Sequence, residues 1–134
     1  EITADAQKLI DVTKESFFQG VKYAMEGFRL HDIGHAIQEY SENNGMAVIR
    51  EYLGHGIGRD LHEDPQVPNY GKPHTGPHLK EGMVLAIEPM LAQGTYDTKV
   101  LSNEWTVVTA DGKLSAHYEN TVVITDGEPE LLTL

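Results

Sequence analysis

The chain contains no cysteine, which excludes a disulfide framework, a thiolate zinc site and a cysteine nucleophile, and points weakly to a reducing compartment such as the cytoplasm. Any metal must therefore be held by nitrogen and oxygen. Basic residues are scarce: 10 Lys and Arg stand against 21 Asp and Glu, a formal net charge of −11. Nucleic acid and anionic membrane surfaces both call for basic patches, so neither is expected as a partner, whereas cations and small neutral substrates are easily accommodated. Long apolar runs are missing too. Those present, such as Met83 to Ile87, fall far short of the roughly 18 residues of a membrane span, and no signal-peptide pattern opens the chain.

What remains suffices for one ordinary domain over residues 1–134, since 40% of the residues are hydrophobic and the length lies in the usual range for a packed core. The chain begins at Glu1 without an initiator methionine and runs straight into helical periodicity, as a segment of a longer polypeptide would. Leu9, Ile10, Phe17, Val21, Ala24 and Met25 recur at helical spacing, with Thr3 as N-cap and Gly27 as the residue past the end. A shorter helix is expected next, with Asp32 as N-cap, an apolar face of Ile33, Ala36, Ile37 and Tyr40, and a stop near Asn44 and Gly45.

After Gly45 the period changes. Met46 to Leu53 is β-prone, and residues 59–82 hold four prolines among glycines and short polar residues, which reads as a long structured loop, a feature that in compact domains is usually functional. The second half reads as strands: MVLAIEPML, TKVLS, WTVVTA, and SAHYENTVVIT after the turn signal Asp111-Gly112. The fold class is α+β, two helices covering one face of an antiparallel sheet.

Chemistry concentrates in two places. Residues 54–71, GHGIGRDLHEDPQVPNYG, put His55 between glycines and place His62 beside two carboxylates on Gly-rich, irregular backbone. Glu88 and Glu119 lie inside runs that otherwise read as buried strands, and a buried carboxylate costs several kcal/mol unless it is paired, hydrogen-bonded or bound to a cation. A divalent metal is a candidate partner, and ligand type alone does not choose among zinc, manganese, iron and cobalt. Simpler roles also fit each residue singly: His55 as a turn residue, Glu88 before Pro89 as a strand end meeting solvent, Glu119 as an outward strand position. His117, two residues before Glu119, shares its sheet face in a regular strand and can orient a metal-bound carboxylate or simply pack. His31 and His35 are expected as surface or capping residues, and His74 and His78 as exposed loop residues.

The segments GHGIGRDLHEDPQVPNYG, LKEGMVLAIEPML and NEWTVVTADGKLSAHYENTVVIT closely resemble the C-terminal half of type I methionine aminopeptidases, enzymes of the pita-bread fold, and the resemblance covers effectively the whole chain. It implies that His55, Glu88 and Glu119 are metal ligands, with Glu119 bridging two divalent ions (Co, Mn, Fe or Zn) in the complete enzyme. It implies that His62 contacts the substrate and stabilises the reacting carbonyl, that Glu88 also shuttles the proton to the leaving amine, and that Leu61 and Trp105 lie near the pocket for the methionine side chain. The implied reaction is cytoplasmic removal of the N-terminal methionine from a nascent protein or peptide whose next residue is small. The family completes its site with two aspartates eleven positions apart and another histidine, all in its N-terminal half. The eight aspartates here include no such pair, so three of five ligands are expected in this chain. The isolated chain is then expected to bind about one divalent ion, weakly, to show little or no activity, and to self-associate or pair with the missing half through exposed apolar surface. The alternative function is a non-catalytic, pita-bread-like binding or self-associating domain.

Overall fold

Helix α1 (Ala4–Val21) begins where the sequence places it: the Thr3 hydroxyl accepts the Ala6 N–H at 3.1 Å. It is seen in a computed structural model that describes residues 3–58, 63–93, 98–100, 107–109 and 114–132. The buried stripe of α1 is Leu9, Val12, Thr13, Ser16, Phe17 and Gly20. Ile10, expected on that stripe, is exposed, because the residue after Leu9 is turned by about 100° around a helix of 3.6 residues per turn. The helix also stops six positions before Gly27. Tyr23 and Ala24 donate to the carbonyls of Gly20 and Val21 in tight turns, and Ala24 enters the core from there.

Helix α2 (Leu30–Asn43) starts two residues earlier than its expected cap. Asp32 is not the N-cap. It stands in the first turn, where one carboxylate oxygen reaches back to accept the Arg29 N–H at 2.7 Å and the other accepts the His74 N–H at 2.8 Å. An acid in this position complements both the unpaired N–H groups and the positive end of the helix. The loop after Tyr70 is thereby tied to α2, and other bonds reinforce the tie: Leu30 N–H to the Pro77 carbonyl, Arg29 Nε to the Gly76 carbonyl, and His31 Nδ1 with the Thr75 hydroxyl. His35 Nδ1 donates to the Gly71 carbonyl at 3.1 Å. His31 and His35 therefore clasp the loop rather than standing free at the surface, while His74 is exposed as expected. Gly34 faces this loop so closely that an added Cβ would strike the carbonyl oxygens of Pro68 and Tyr70.

Burial alone would raise the Asp32 carboxyl. The N–H groups of Arg29 and His74, with the charges of those residues, outweigh it and hold the group below its ordinary value of 3.8. A depressed folded pKa contributes stability that is present above the unfolded value and is lost as pH falls through the folded one. Asp32→Asn is accordingly expected to cost about 1.5–3 kcal/mol at pH 7, the usual worth of hydrogen bonds to a charged group. In urea melts that gap should narrow steadily below pH 4; a gap that does not change with pH would show that the carboxylate charge contributes nothing.

All strand pairings among the described residues are antiparallel. Strands β1 (Ala47–Val48), β5 (Met90–Ala92) and β8 (Ser115–His117) form one sheet in the order β1-β5-β8. A five-stranded sheet runs β10-β9-β4-β2-β3, from β10 (Glu130–Leu131), β9 (Asn120–Val123), β4 (Val84–Ile87), β2 (Gly54–Gly56) and β3 (Glu63–Val67). Strands β6 (Thr98–Val100) and β7 (Val107–Thr109) pair as a ribbon. The expected α+β class holds, with three differences in detail. Met46 to Leu53 yields only the two residues of β1, residues 59–82 contain a strand, β3, and the apparent strands around Glu88 and Glu119 are each broken in two.

Alternation then fixes the faces. Leu85, Ile87, Val122 and Ile124 pack with Phe17, Leu30, Ile33 and Ile37 into the main core under the helices. Ala86, Glu88, Thr121 and Glu119, the intervening positions, belong to the other side of the sheet. A second cluster of Leu9, Val12, Met46, Val48 and Leu91 joins the start of α1 to the smaller sheet.

Candidate metal centre

The two glutamates meet because two strand breaks lie side by side. Strand β4 ends at Ile87, opposite Asn120, and β5 begins at Met90, opposite His117. Across the break the same register sets Glu88 against Glu119 and Pro89 against Tyr118. The Tyr118 N–H donates to the Pro89 carbonyl at 3.0 Å, but proline has no N–H to return the bond, so the ladder is interrupted where the sheets part. Glu88 and Glu119 thus occupy a facing pair next to a hydrogen-bonded one, the position at which side chains on neighbouring strands come closest. Like charges directly opposite one another are destabilising.

His55 arrives from the neighbouring strand. It is on β2, not on irregular backbone, and pairs with Ala86, so it shares the face of Glu88, and the small side chain between them leaves room. Gly54 allows that approach, because a Cβ there would collide with the Ala86 carbonyl oxygen and press on Val67. The register between β2 and β3 shifts between His55 and Gly56, a bulge of the kind that re-aims a side chain.

The result is a cluster in which one ligand atom from each of His55, Glu88 and Glu119 lies within 4.8 Å of the others. His55 Nε2 is 2.9 Å from Glu88 Oε2, and both side chains are largely buried, at 14% and 19% exposure; Glu119 is the exposed member. His55 Nδ1 is 3.0 Å from the Gly56 carbonyl oxygen. A carbonyl only accepts, so Nδ1 carries the hydrogen, and in a neutral ring the Nε2 lone pair faces the carboxylate. Two electron-rich atoms at that separation require a proton or a cation between them. Among the described residues no Lys or Arg pairs with Glu88 or Glu119; Glu88 has only His55 and, at 3.7 Å, His117 Nε2. One imidazole and two carboxylates, with the far imidazole nitrogen bonded to a backbone carbonyl, is a donor set suited to a divalent transition metal.

His117, paired with Met90, brings Nε2 within 3.7 Å of Glu88 Oε1, diagonally across the strand pair. His62, Leu61 and Trp105 lie outside the described residues. Asn69 carries no signal in the sequence beyond its place in a proline-rich loop, yet its buried amide bonds the main chain of Glu88.

The chain matches the description Metallopeptidase family M24 over residues 1–126. It belongs to that family. Among M24-type relatives, the methionine aminopeptidase of Clostridium acetobutylicum is 64% identical over 134 residues, which are 100% of this chain and 54% of that protein. Methionine aminopeptidase 1 of Bacillus subtilis is 54% identical over 132 residues, 98% of this chain and 53% of the relative. The crystal structure of methionine aminopeptidase from Rickettsia prowazekii superposes with a TM-score of 0.92 at 42% identity, covering 100% of this chain and 54% of that one. A prolidase from Pyrococcus horikoshii, at 22% identity and a TM-score of 0.71, shares the fold. The resemblance to type I methionine aminopeptidases thus extends over the whole chain, and the α+β architecture is the pita-bread fold of M24 proteins. The chain spans about half the length of the curated relatives it matches.

Proposed function

We propose that the polypeptide carrying these 134 residues is a metal-dependent aminopeptidase that removes the N-terminal methionine from peptides and nascent proteins in the cytoplasm. The observation that carries this reading is the convergence of His55, Glu88 and Glu119 at two aligned strand breaks, with His55 Nε2 2.9 Å from Glu88 Oε2. These three residues would hold divalent metal, one ion or two, of the manganese, iron, cobalt or zinc type. Such ions supply Lewis acidity and activate water for attack on a peptide carbonyl.

This chain's own residues would do the rest. Glu88, with Oε2 engaged by His55 and Oε1 near His117, would accept a proton from the attacking water and pass it to the leaving amine. His62 would donate a hydrogen bond to the developing oxyanion, and Leu61 and Trp105 would border the methionine side chain. The donors here form part of a larger set, and segments that the longer relatives possess would complete it; residues 1–134 serve as one folding unit of that whole. Expressed alone, they should bind metal weakly, hydrolyse little and tend to associate.

The test is hydrolysis of a Met-Ala-Ser peptide by the polypeptide that carries this chain, with Mn²⁺ present. Release of methionine that EDTA abolishes is expected. His62→Ala should lower kcat by about 10²–10³-fold, the range for loss of one oxyanion donor, with metal content unchanged. No release from the peptide, or an equal loss of metal and rate in the variant, contradicts the respective assignment.

A further inference from the structure

Strand β2 gives out just where β4 breaks, and that leaves main-chain carbonyls to be satisfied. The last β4 residue paired with β2 is Ala86, opposite His55. Three residues on, the Pro89 carbonyl turns toward Tyr118, so the carbonyl of Glu88, pointing the other way along the alternating ladder, faces the β2 side. Continued register would bring residue 53 there, but β2 begins only at Gly54.

One side chain fills the gap. Asn69, fully buried, donates from Nδ2 to the Glu88 carbonyl at 3.0 Å and to the Tyr52 carbonyl at 3.2 Å. Both acceptors are carbonyls, so the NH₂ group must face them, and its two hydrogens are used once each. Asn69 itself is held by α2. The carbonyls of Pro68 and Tyr70, on either side of it, rest against Gly34, and the next residue, Gly71, donates its N–H to Gln38 Oε1 at 3.1 Å. The amide Oδ1 is buried without a hydrogen-bond partner among the described residues. That orphan is costly, so Asn69 is a poor choice for filling space alone.

We propose that Asn69 is a positioning residue of the metal centre: its carboxamide joins the backbone entering the His55 strand to the backbone at Glu88, and so sets the separation of two of the three donors. This rests on the metal-binding reading given above. A carboxylate at Glu88 can approach His55 Nε2 at 2.9 Å only while the two main-chain segments keep their spacing, and metal centres depend on groups that orient the ligands, whose loss typically weakens metal binding about 10–100-fold.

The test uses the polypeptide that carries this chain, with Mn²⁺ affinity by titration calorimetry and the visible absorption of the Co²⁺ form as readouts. Asn69→Asp keeps the shape but puts a carboxylate oxygen where the NH₂ group faced both carbonyls, and Asn69→Ser keeps a single short donor. Ile37→Val, in the core away from the site, controls for lost stability. Expected is a loss of Mn²⁺ affinity of at least about 10-fold in Asn69→Asp, with an altered Co²⁺ spectrum, a smaller loss in Asn69→Ser, and unchanged values in Ile37→Val. If Asn69→Asp does not fold, Asn69→Ser carries the comparison, with an expected loss of about 3–10-fold. Wild-type affinity and spectrum in the Asn69 variants that fold would overturn the positioning role while leaving the metal reading intact, as would an equal weakening in Ile37→Val. Failure of the unsubstituted protein to bind Mn²⁺ would overturn the metal reading, and this role with it.

Discussion

Glu119→Gln is expected to make the metal-free protein more stable and the metal-loaded protein less so. Without a cation, Glu119 faces Glu88 across two aligned strand breaks, and its like charge is relieved by no Lys or Arg among the described residues. Removing that charge leaves the His55 to Glu88 contact in place. The gain should be on the order of 0.5 kcal/mol, modest because Glu119 is exposed and water screens it. With metal the sign reverses. A ligand that binds only the folded state at 100 times its dissociation constant stabilises it by about 2.7 kcal/mol, and a variant that has lost one of three donors should lose most of this. Urea melts with EDTA and with Mn²⁺, run on both proteins, read both effects. Hydrolysis should fall by about 10²-fold or more, since the proposed function makes Glu119 one of the donors on which the acid–base chemistry depends. A variant destabilised in EDTA and still stabilised by Mn²⁺ as the wild type is would show Glu119 to be an ordinary surface residue. Opposite signs of this kind mark a group kept for chemistry at a cost in stability.

Gly54→Ala is expected to be the most damaging single methyl in the described part of the chain. The new Cβ would lie on the Ala86 carbonyl oxygen and against Val67. Neither is the end of a flexible side chain: one is main chain at the centre of the five-stranded sheet, and the other is fully buried. Relief requires β2 to move away from β4, which breaks the pairing of His55 with Ala86. Overpacking of rigid surroundings usually costs about 1–3 kcal/mol, and the loss of ladder bonds places this case at or above the top of that range. Because the displaced strand carries His55, metal binding should fail even where the variant stays folded. The checks are thermal melting and Mn²⁺ titration of the same sample. A melting temperature within about 2 °C of wild type, far less than 3 kcal/mol would produce in a domain of this size, would mean that β2 and β4 are not packed as described.

Much of this was legible in the residues. The periodicity from Leu9 to Met25 and from Ile33 to Tyr40 announced two amphipathic helices, and Thr3 marked the start of the first, because these signals depend on neighbours three and four positions away. The incongruity of Glu88 and Glu119 within apolar runs marked them as a problem needing a cation, and the GHGIGR motif drew attention to His55. Asp32 was placed at the correct helix end but in the wrong position, since a carboxylate caps equally well from the flanking residue or from the first turn, and contact with His74, 42 positions away along the chain, selects between them.

By itself the sequence determined the composition of the site: nitrogen and oxygen donors in place of sulfur, an acidic chain, and carboxylates at 88 and 119 where apolar residues would otherwise stand. Tertiary structure alone decided how those donors meet. A strand signal has period two and says nothing of which strand lies alongside, so the opposition of Glu88 to Glu119 exists only in the pairing of β4 with β9 and of β5 with β8. Whether a strand runs on or breaks at a Glu-Pro step depends on the partner that proline leaves with an unreturned bond. The side-chain bridge from Asn69 to the carbonyls of Tyr52 and Glu88 lies further still from sequence, because its acceptors are backbone atoms, which every residue has and no residue type reveals.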